Sequence, residues 1–204
     1  MDHEAIQQYY EQVYTNKTTS AFAFDKKRYL AWLNELPQIT QTPKRSLDIG
    51  CGAGFICALL QEQGYAVHGN DISQKAIELA KSKIPQGQFH LSQPDGQLKY
   101  PDEHFDLITC LGVLEHIPQP EPVLKECLRV LKKDGYVLFI VPNSRNPYFW
   151  FGGTEQIEEH PRSLKQWSEL FTNHGFSIIN VTKDPGPTYH RQHSFLKKIK
   201  IRIH

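Results

Sequence analysis

The chain has 204 residues, of which 39% are hydrophobic and 22% charged, and its formal net charge at pH 7 is +1. This size and composition are typical of one globular domain, and the balanced charge gives no general reason to expect a nucleic acid or an anionic membrane as partner. The four cysteines form no Cys-x-x-Cys pair, which excludes the common zinc and redox motifs. Without a secretory signal or a long apolar run, the sequence predicts a reduced, cytoplasmic protein with no transmembrane segment.

Short β-rich runs alternate with helical patterns, which predicts a mostly parallel sheet covered by helices. Residues 1–36 are predicted to form two helical pieces, and residues 37–43 a linker. The later elements are predicted in this order: strand 46–49, helix 55–63, strand 65–70, a Ser73-capped helix, strands 88–91 and 105–110, helix 121–131, an Asp134-Gly135 turn, strand 136–141, a Ser163-capped helix ending at Gly175, and strand 176–181. This order predicts a Rossmann-like, doubly wound α/β fold with helices on both faces.

The end of the chain is basic. Residues 190–204 contain five Lys or Arg and no Asp or Glu. Since the whole chain has a net charge of +1, residues 1–189 have a net charge of −4. Three isoleucines alternate with basic residues over 199–203, at the period of a strand. A last strand and a mobile basic tail both fit this pattern. Weak contact of the tail with a membrane surface stays open, and nucleic-acid binding is not favoured.

Three alternating glycines, Gly50, Gly52 and Gly54, stand between a predicted strand and a predicted helix. Glycine there permits positive φ and lets the backbone approach a ligand at the end of the sheet where such folds bind ligands. The dinucleotide fingerprint needs a further glycine at the position that Phe55 occupies. Asp48, just before the loop, suits a cation better than a pyrophosphate, because like charges repel. The loop therefore favours S-adenosylmethionine, which carries a sulfonium and an ammonium, over NAD.

Asp71 ends the second predicted strand, 21 residues after Gly50. A carboxylate at about this spacing accepts both hydroxyls of a ribose in nucleotide-binding folds. It is expected for S-adenosylmethionine and for NAD alike. Asp71 therefore predicts a nucleoside site without choosing the cofactor.

Residues 47–54 and 69–73 resemble the first two motifs of class I S-adenosylmethionine-dependent methyltransferases. The later motifs of that family resemble segments 100–108, 113–117, 128–136 and 141–143, so the resemblance spans about residues 44–182. It implies a final antiparallel strand, for which the run 199–203 is the candidate. It divides the chain into a helical cap (1–43), an S-adenosylmethionine-binding domain (44–189) and a basic tail or last strand (190–204), within one domain overall.

The resemblance also implies which residues bind S-adenosyl-L-methionine, whose product is S-adenosyl-L-homocysteine. Asp48 and Gly50 would border its methionine end, Asp71 would hold the ribose hydroxyls, and Ile72 would pack on adenine. The implied cofactor contacts are Asp48, Gly50, Cys51, Gly52, Gly54, Asp71, Ile72, Asp95, Gly96 and Leu111.

Methyl transfer from a sulfonium requires no universal catalytic residue, because the cofactor activates the methyl group and the protein mainly positions the acceptor. A hydroxyl acceptor would benefit from a general base, and His116 and His160 are the candidates. The candidate acceptor contacts are aromatic: Tyr10, Tyr14, Tyr148 and Trp150.

The sequence thus predicts methyl transfer to a small-molecule acceptor by a monomer or homodimer, with no metal site. Two alternatives stay open: a protein or RNA methyltransferase, and a non-catalytic protein that binds S-adenosylmethionine. A nicotinamide-dependent oxidoreductase is a distant alternative, since the glycine loop disfavours NAD.

Overall fold

The computed structural model describes residues 3–16, 26–145, 159–184 and 196–202. Their helices and strands are α1 (His3–Asn16), α2 (Lys26–Asn34), β1 (Lys44–Ile49), α3 (Phe55–Glu62), β2 (Tyr65–Asp71), α4 (Gln74–Lys83), β3 (Gln88–Leu91), β4 (Phe105–Leu111), α5 (Glu121–Val130), β5 (Leu131–Ile140), α6 (Leu164–Asn173), β6 (Ser177–Asp184) and β7 (Leu196–Arg202).

The strands form one sheet in the order β3-β2-β1-β4-β5-β7-β6. The first five strands in this order run parallel, whereas β7 is antiparallel to both of its neighbours. The strand order reverses between β1 and β4, and a crevice opens outside the carboxyl ends of strands at such a point. The predicted doubly wound α/β fold is therefore confirmed, and the basic run is a strand inside the sheet.

Helices cover both faces of the sheet, and each face has its own buried cluster. On one face, Leu124 of α5 and Trp167 of α6 pack with Phe139 of β5. On the other face, Leu60 of α3 and Ile77 of α4 lie in a second cluster. Because β5 is largely buried on both sides, its residues 136–140 form a continuous apolar run rather than an alternating pattern.

Two helices begin at the predicted caps. The Ser73 hydroxyl accepts the N–H of Ala76 at 3.1 Å at the start of α4. At the start of α6, Ser163 and Gln166 form a reciprocal capping box. Each cap satisfies backbone N–H groups that have no partner within the helix.

The predicted turn at Asp134 and Gly135 was wrong as a boundary, because both residues lie inside β5. Leu131 already pairs with Phe105, and Tyr136 pairs with Leu107, so four residues of β5 stand opposite one residue of β4. The polar residues between these pairs hid the early start of the strand.

A buried histidine in β2 should make the fold sensitive to acid. Burial, followed by the charges of His104, His90 and Arg45, lowers the pKa of His68 to about 4. In the unfolded chain His68 is protonated near pH 6.5, whereas in the folded chain it is protonated only near pH 4. Stability is therefore lost as the pH falls from about 6.5 towards 4. We expect His68 to lower the free energy of unfolding by up to about 3 kcal/mol over this pH range, and His68→Phe should abolish that loss.

Urea unfolding of the native chain and of His68→Phe between pH 4 and pH 7.5 measures this contribution. The gap between the two unfolding free energies should change steadily with pH in favour of the variant as acid is added. A gap that stays constant over the whole range would show that His68 does not resist protonation.

Candidate active site

The glycine loop lies at the carboxyl end of β1, beside the reversal of strand order. Gly50, Gly52 and Gly54 all have positive φ, at 70°, 52° and 80°. A Cβ atom on Gly50 would collide with the Val113 side chain, and one on Gly52 would lie 2.5 Å from the Tyr14 hydroxyl. The loop therefore needs glycine for its backbone angles and because the Val113 and Tyr14 side chains approach it closely.

Asp71 at the end of β2 fastens this loop. Its Oδ2 accepts the N–H of Gly52 at 2.8 Å, and its Oδ1 accepts the N–H of Ser73 at 2.9 Å. Burial raises the pKa of Asp71 to about 6, although these backbone bonds act in the opposite direction. A carboxylate oxygen accepts more than one hydrogen bond, so both oxygens keep capacity for a ligand.

Asp48 is a second buried acid at the same end of the sheet. The residue is 3% exposed, and its Oδ1 accepts the Thr109 hydroxyl at 2.6 Å. Burial raises the pKa of Asp48 to about 7, the Thr109 bond opposes this, and the charge of Asp71 adds to it. Two buried acids whose charges repel each other favour the binding of a cation.

The remaining predicted cofactor contacts differ in their surroundings. Cys51 is buried, which raises the pKa of its thiol, and Ile72 is half-buried. Leu111 ends β4. Asp95 is exposed, and its Oδ1 accepts the N–H of Gln97 in its own turn, which also contains Gly96 with φ 74°. The structure brings Cys51, Ile72 and Leu111 to the strand ends, while Asp95 and Gly96 lie in a more exposed loop.

Helix α1 crosses the glycine loop. Its Glu11 carboxylate accepts the Ser73 hydroxyl at 2.6 Å and the N–H of Lys75 at 3.2 Å, at the start of α4. One turn further along α1, Tyr14 lies against Gly52, and burial followed by the charge of Asp71 raises its pKa. Tyr14, predicted as an acceptor contact, therefore stands over the glycine loop. Glu11 was missed, because nothing local in the sequence signals a contact with α4.

The two candidate histidines lie on the other side of the crevice, after β4. A 3-10 turn, Leu114–His116, buries the side chains of Glu115 and His116. The His116 ring meets the Tyr10 ring edge to face, with centroids 6.2 Å apart. The backbone N–H of His160 donates to the Glu115 carbonyl at 2.6 Å. The fold thus brings both histidines and Tyr10 together around Glu115, while Tyr148 and Trp150 lie outside the described residues.

A hollow of about 410 Å³ lies at the opposite, amino-terminal ends of β4 and β5. The Arg129 guanidinium in its wall already binds Glu126 and Asp102, at 2.7 Å each. With its main cation paired in this way, the hollow offers no comparable site. Among the described residues, no group of three or more His, Cys, Asp or Glu side chains is placed to hold a metal ion. No described helix has the length and apolar character needed to cross a membrane.

Known proteins similar to this chain identify its family. A family model described as a methyltransferase domain matches residues 21–182. A ubiquinone biosynthesis O-methyltransferase of Coxiella burnetii is 30% identical over 171 residues, covering 75% of this chain and 70% of the relative. The chain therefore belongs to the class I S-adenosylmethionine-dependent methyltransferases, and S-adenosyl-L-methionine is its cofactor.

Solved structures agree on the fold. A TehB-like methyltransferase from Corynebacterium glutamicum has a TM-score of 0.69 and 21% identity, covering 98% of this chain and all of that one. Phosphoethanolamine N-methyltransferase 2 from Haemonchus contortus, solved with S-adenosyl-L-methionine, has a TM-score of 0.66 and 22% identity, covering 78% of this chain and 38% of that one. One of the named proteins is an N-methyltransferase and another an O-methyltransferase. The shared fold therefore does not identify the acceptor or the atom that is methylated.

Proposed function

We propose that this methyltransferase transfers the methyl group to a hydroxyl oxygen of a small-molecule acceptor. The observation that carries the proposal is the position of α1. Glu11 fastens this helix to the start of α4, and Tyr10 packs on His116 across the crevice. A macromolecular acceptor would have to displace this helix, which favours a small molecule. The printed name of the Coxiella relative, an O-methyltransferase, supports oxygen as the methylated atom.

On the cofactor side, we assign the ribose hydroxyls to Asp71 and the positively charged methionine end to Asp48. The glycine loop and the two buried acids fit a cationic nucleoside, and the bound sulfonium supplies an activated methyl group. The other proposed contacts are those the motifs imply: Gly50, Cys51, Gly52, Gly54, Ile72, Asp95, Gly96 and Leu111.

On the acceptor side, we assign His116, His160 and Tyr10 to contacts with the acceptor. All three surround Glu115 at the end of β4. The cytoplasmic location, the monomeric or homodimeric state and the division into cap, domain and tail stay predictions.

Thermal unfolding and methyl-transfer assays test the proposed function together. S-adenosylhomocysteine at about 100 times its Kd should add about 2.7 kcal/mol to stability, a midpoint rise of roughly 5–10 °C, and NAD should add nothing. Labelled methyl groups should then appear on phenols and other hydroxylated small molecules. Labelling of protein or RNA instead would refute the small-molecule acceptor while leaving the cofactor assignment intact.

A further inference from the structure

Two carboxylates on the acceptor side are buried without full hydrogen bonding. Within the described part of the chain, the Oε2 atoms of Glu115 and Glu159 are buried and have no hydrogen-bond partner. Glu115 as a whole is only 5% exposed. Buried polar atoms are nearly always paired, so an unpaired one at a crevice indicates a place for a missing donor.

The fold fixes these carboxylates beside the end of β4. The Oε1 atom of Glu115 lies 3.6 Å from where a Cβ would stand on Gly112, the residue after Leu111. The bond from the His160 N–H to the Glu115 carbonyl ties the segment that carries Glu159 to this turn. The carboxylates therefore border the same crevice as the glycine loop, on the side assigned above to the acceptor.

We propose that Glu115 is the general base that removes the proton from the acceptor hydroxyl, with Glu159 as its partner carboxylate. This inference rests on the proposed function and deepens it. A neutral hydroxyl supplies the donor that the Glu115 oxygen lacks.

The groups facing Glu115 come from three parts of the chain. Tyr10 faces it from α1, Cys110 from β4, and Glu159 from the segment before α6, while His116 and His160 adjoin it. Burial first, and then the charge of Glu159, raises the pKa of Glu115 to about 8. A carboxylate with a raised pKa is a stronger base than an exposed carboxylate, and it is suited to removing a hydroxyl proton. Because the base form accumulates as the pH rises through about 8, activity should rise with it.

The methyl group and the hydroxyl proton are transferred in the same step. As the acceptor oxygen forms its bond to the methyl carbon, the carbon–sulfur bond breaks and its electron pair stays on sulfur. The hydroxyl proton passes to the Glu115 carboxylate, and solvent later takes it. His116 and His160 position the acceptor in this scheme.

The test uses two probes that differ in how much they need a base. Catechol keeps its hydroxyl protons near neutral pH, whereas 4-nitrocatechol is ionised there. In Glu115→Gln we expect kcat/KM for catechol to fall at least about 100-fold and its rise with pH to disappear, because a general base contributes about 10²- to 10⁴-fold. With 4-nitrocatechol the same variant should lose less than about fivefold. The exposed Glu121→Gln is the matched control and should resemble the native chain with both probes.

Each other outcome overturns the inference. Equal losses with both probes would mean that Glu115 is structural, and an unchanged rate with catechol would mean that it is not the base. Calorimetric binding of catechol to the S-adenosylhomocysteine complex provides a readout apart from activity. If the native chain binds S-adenosylhomocysteine but neither binds nor methylates either probe, the acceptor-side inference fails alone. If it does not bind S-adenosylhomocysteine, the proposed function fails first.

Discussion

Replacing Asp71 with alanine is expected to weaken the binding of S-adenosylhomocysteine by at least about 100-fold. Hydrogen bonds to a charged group contribute about 1.5–3 kcal/mol each, and the carboxylate is assigned two ribose hydroxyls. The change also releases the N–H groups of Gly52 and Ser73, which Asp71 holds at 2.8 and 2.9 Å. The loop then loses the anchor that shapes its backbone. Isothermal calorimetry measures the dissociation constant directly.

Two further variants separate ligand contact from loop shape. Asp71→Asn keeps one side-chain oxygen and a similar volume, so its affinity for S-adenosylhomocysteine should lie between that of Asp71→Ala and that of the native chain. Asp102→Ala removes an exposed acid that binds Arg129 at the opposite edge of the sheet, and it should bind S-adenosylhomocysteine normally. If Asp71→Ala binds within about threefold of the native chain, Asp71 does not hold the ribose.

The sequence predicts where the glycine loop and Asp71 lie, at the ends of β1 and β2, because their signals are local. A strand, three alternating glycines and a helix follow one another directly, and the acid stands one β–α unit later. The caps at Ser73 and Ser163 are predicted for the same reason, since each depends on residues within a single turn of helix. The backbone conformation of these segments depends on residues that are close in sequence, so it can be predicted without knowledge of distant contacts.

What the sequence does not show depends on contacts between distant residues. Glu11 binds Ser73 across 62 positions, and no spacing rule links a glutamate in a first helix to the cap of another. Glu115 and Glu159 interact because the segment before α6 returns to the end of β4. The alternation over 199–203 predicts a strand, but not its place between β5 and β6, since the period of a strand carries no information about its neighbours.

Because β7 lies between β5 and β6 in the sheet, we expect that deleting residues 196–204 abolishes cooperative folding. Residues 199–202 pair with β5, and β7 also pairs along its length with β6. In the described part of the chain β6 has no other strand neighbour. The deletion removes a ladder of hydrogen bonds worth about 1 kcal/mol each and exposes the edge of β5, against a total stability of about 5–15 kcal/mol. Urea unfolding followed by circular dichroism measures the loss.

The same geometry decides how the basic end of the chain must be studied. Because a truncated chain should lose its fold, loss of activity after deletion says nothing about a membrane or a nucleic acid. Replacing Lys197 and Lys200 with glutamine keeps the backbone of β7 and removes two charges, so this variant should fold and bind S-adenosylhomocysteine as the native chain does. A deletion mutant that still unfolds cooperatively, with the native midpoint and native binding, would show that β7 adds nothing to the sheet. Only then would a role for the tail outside the fold be the simpler account of its charge.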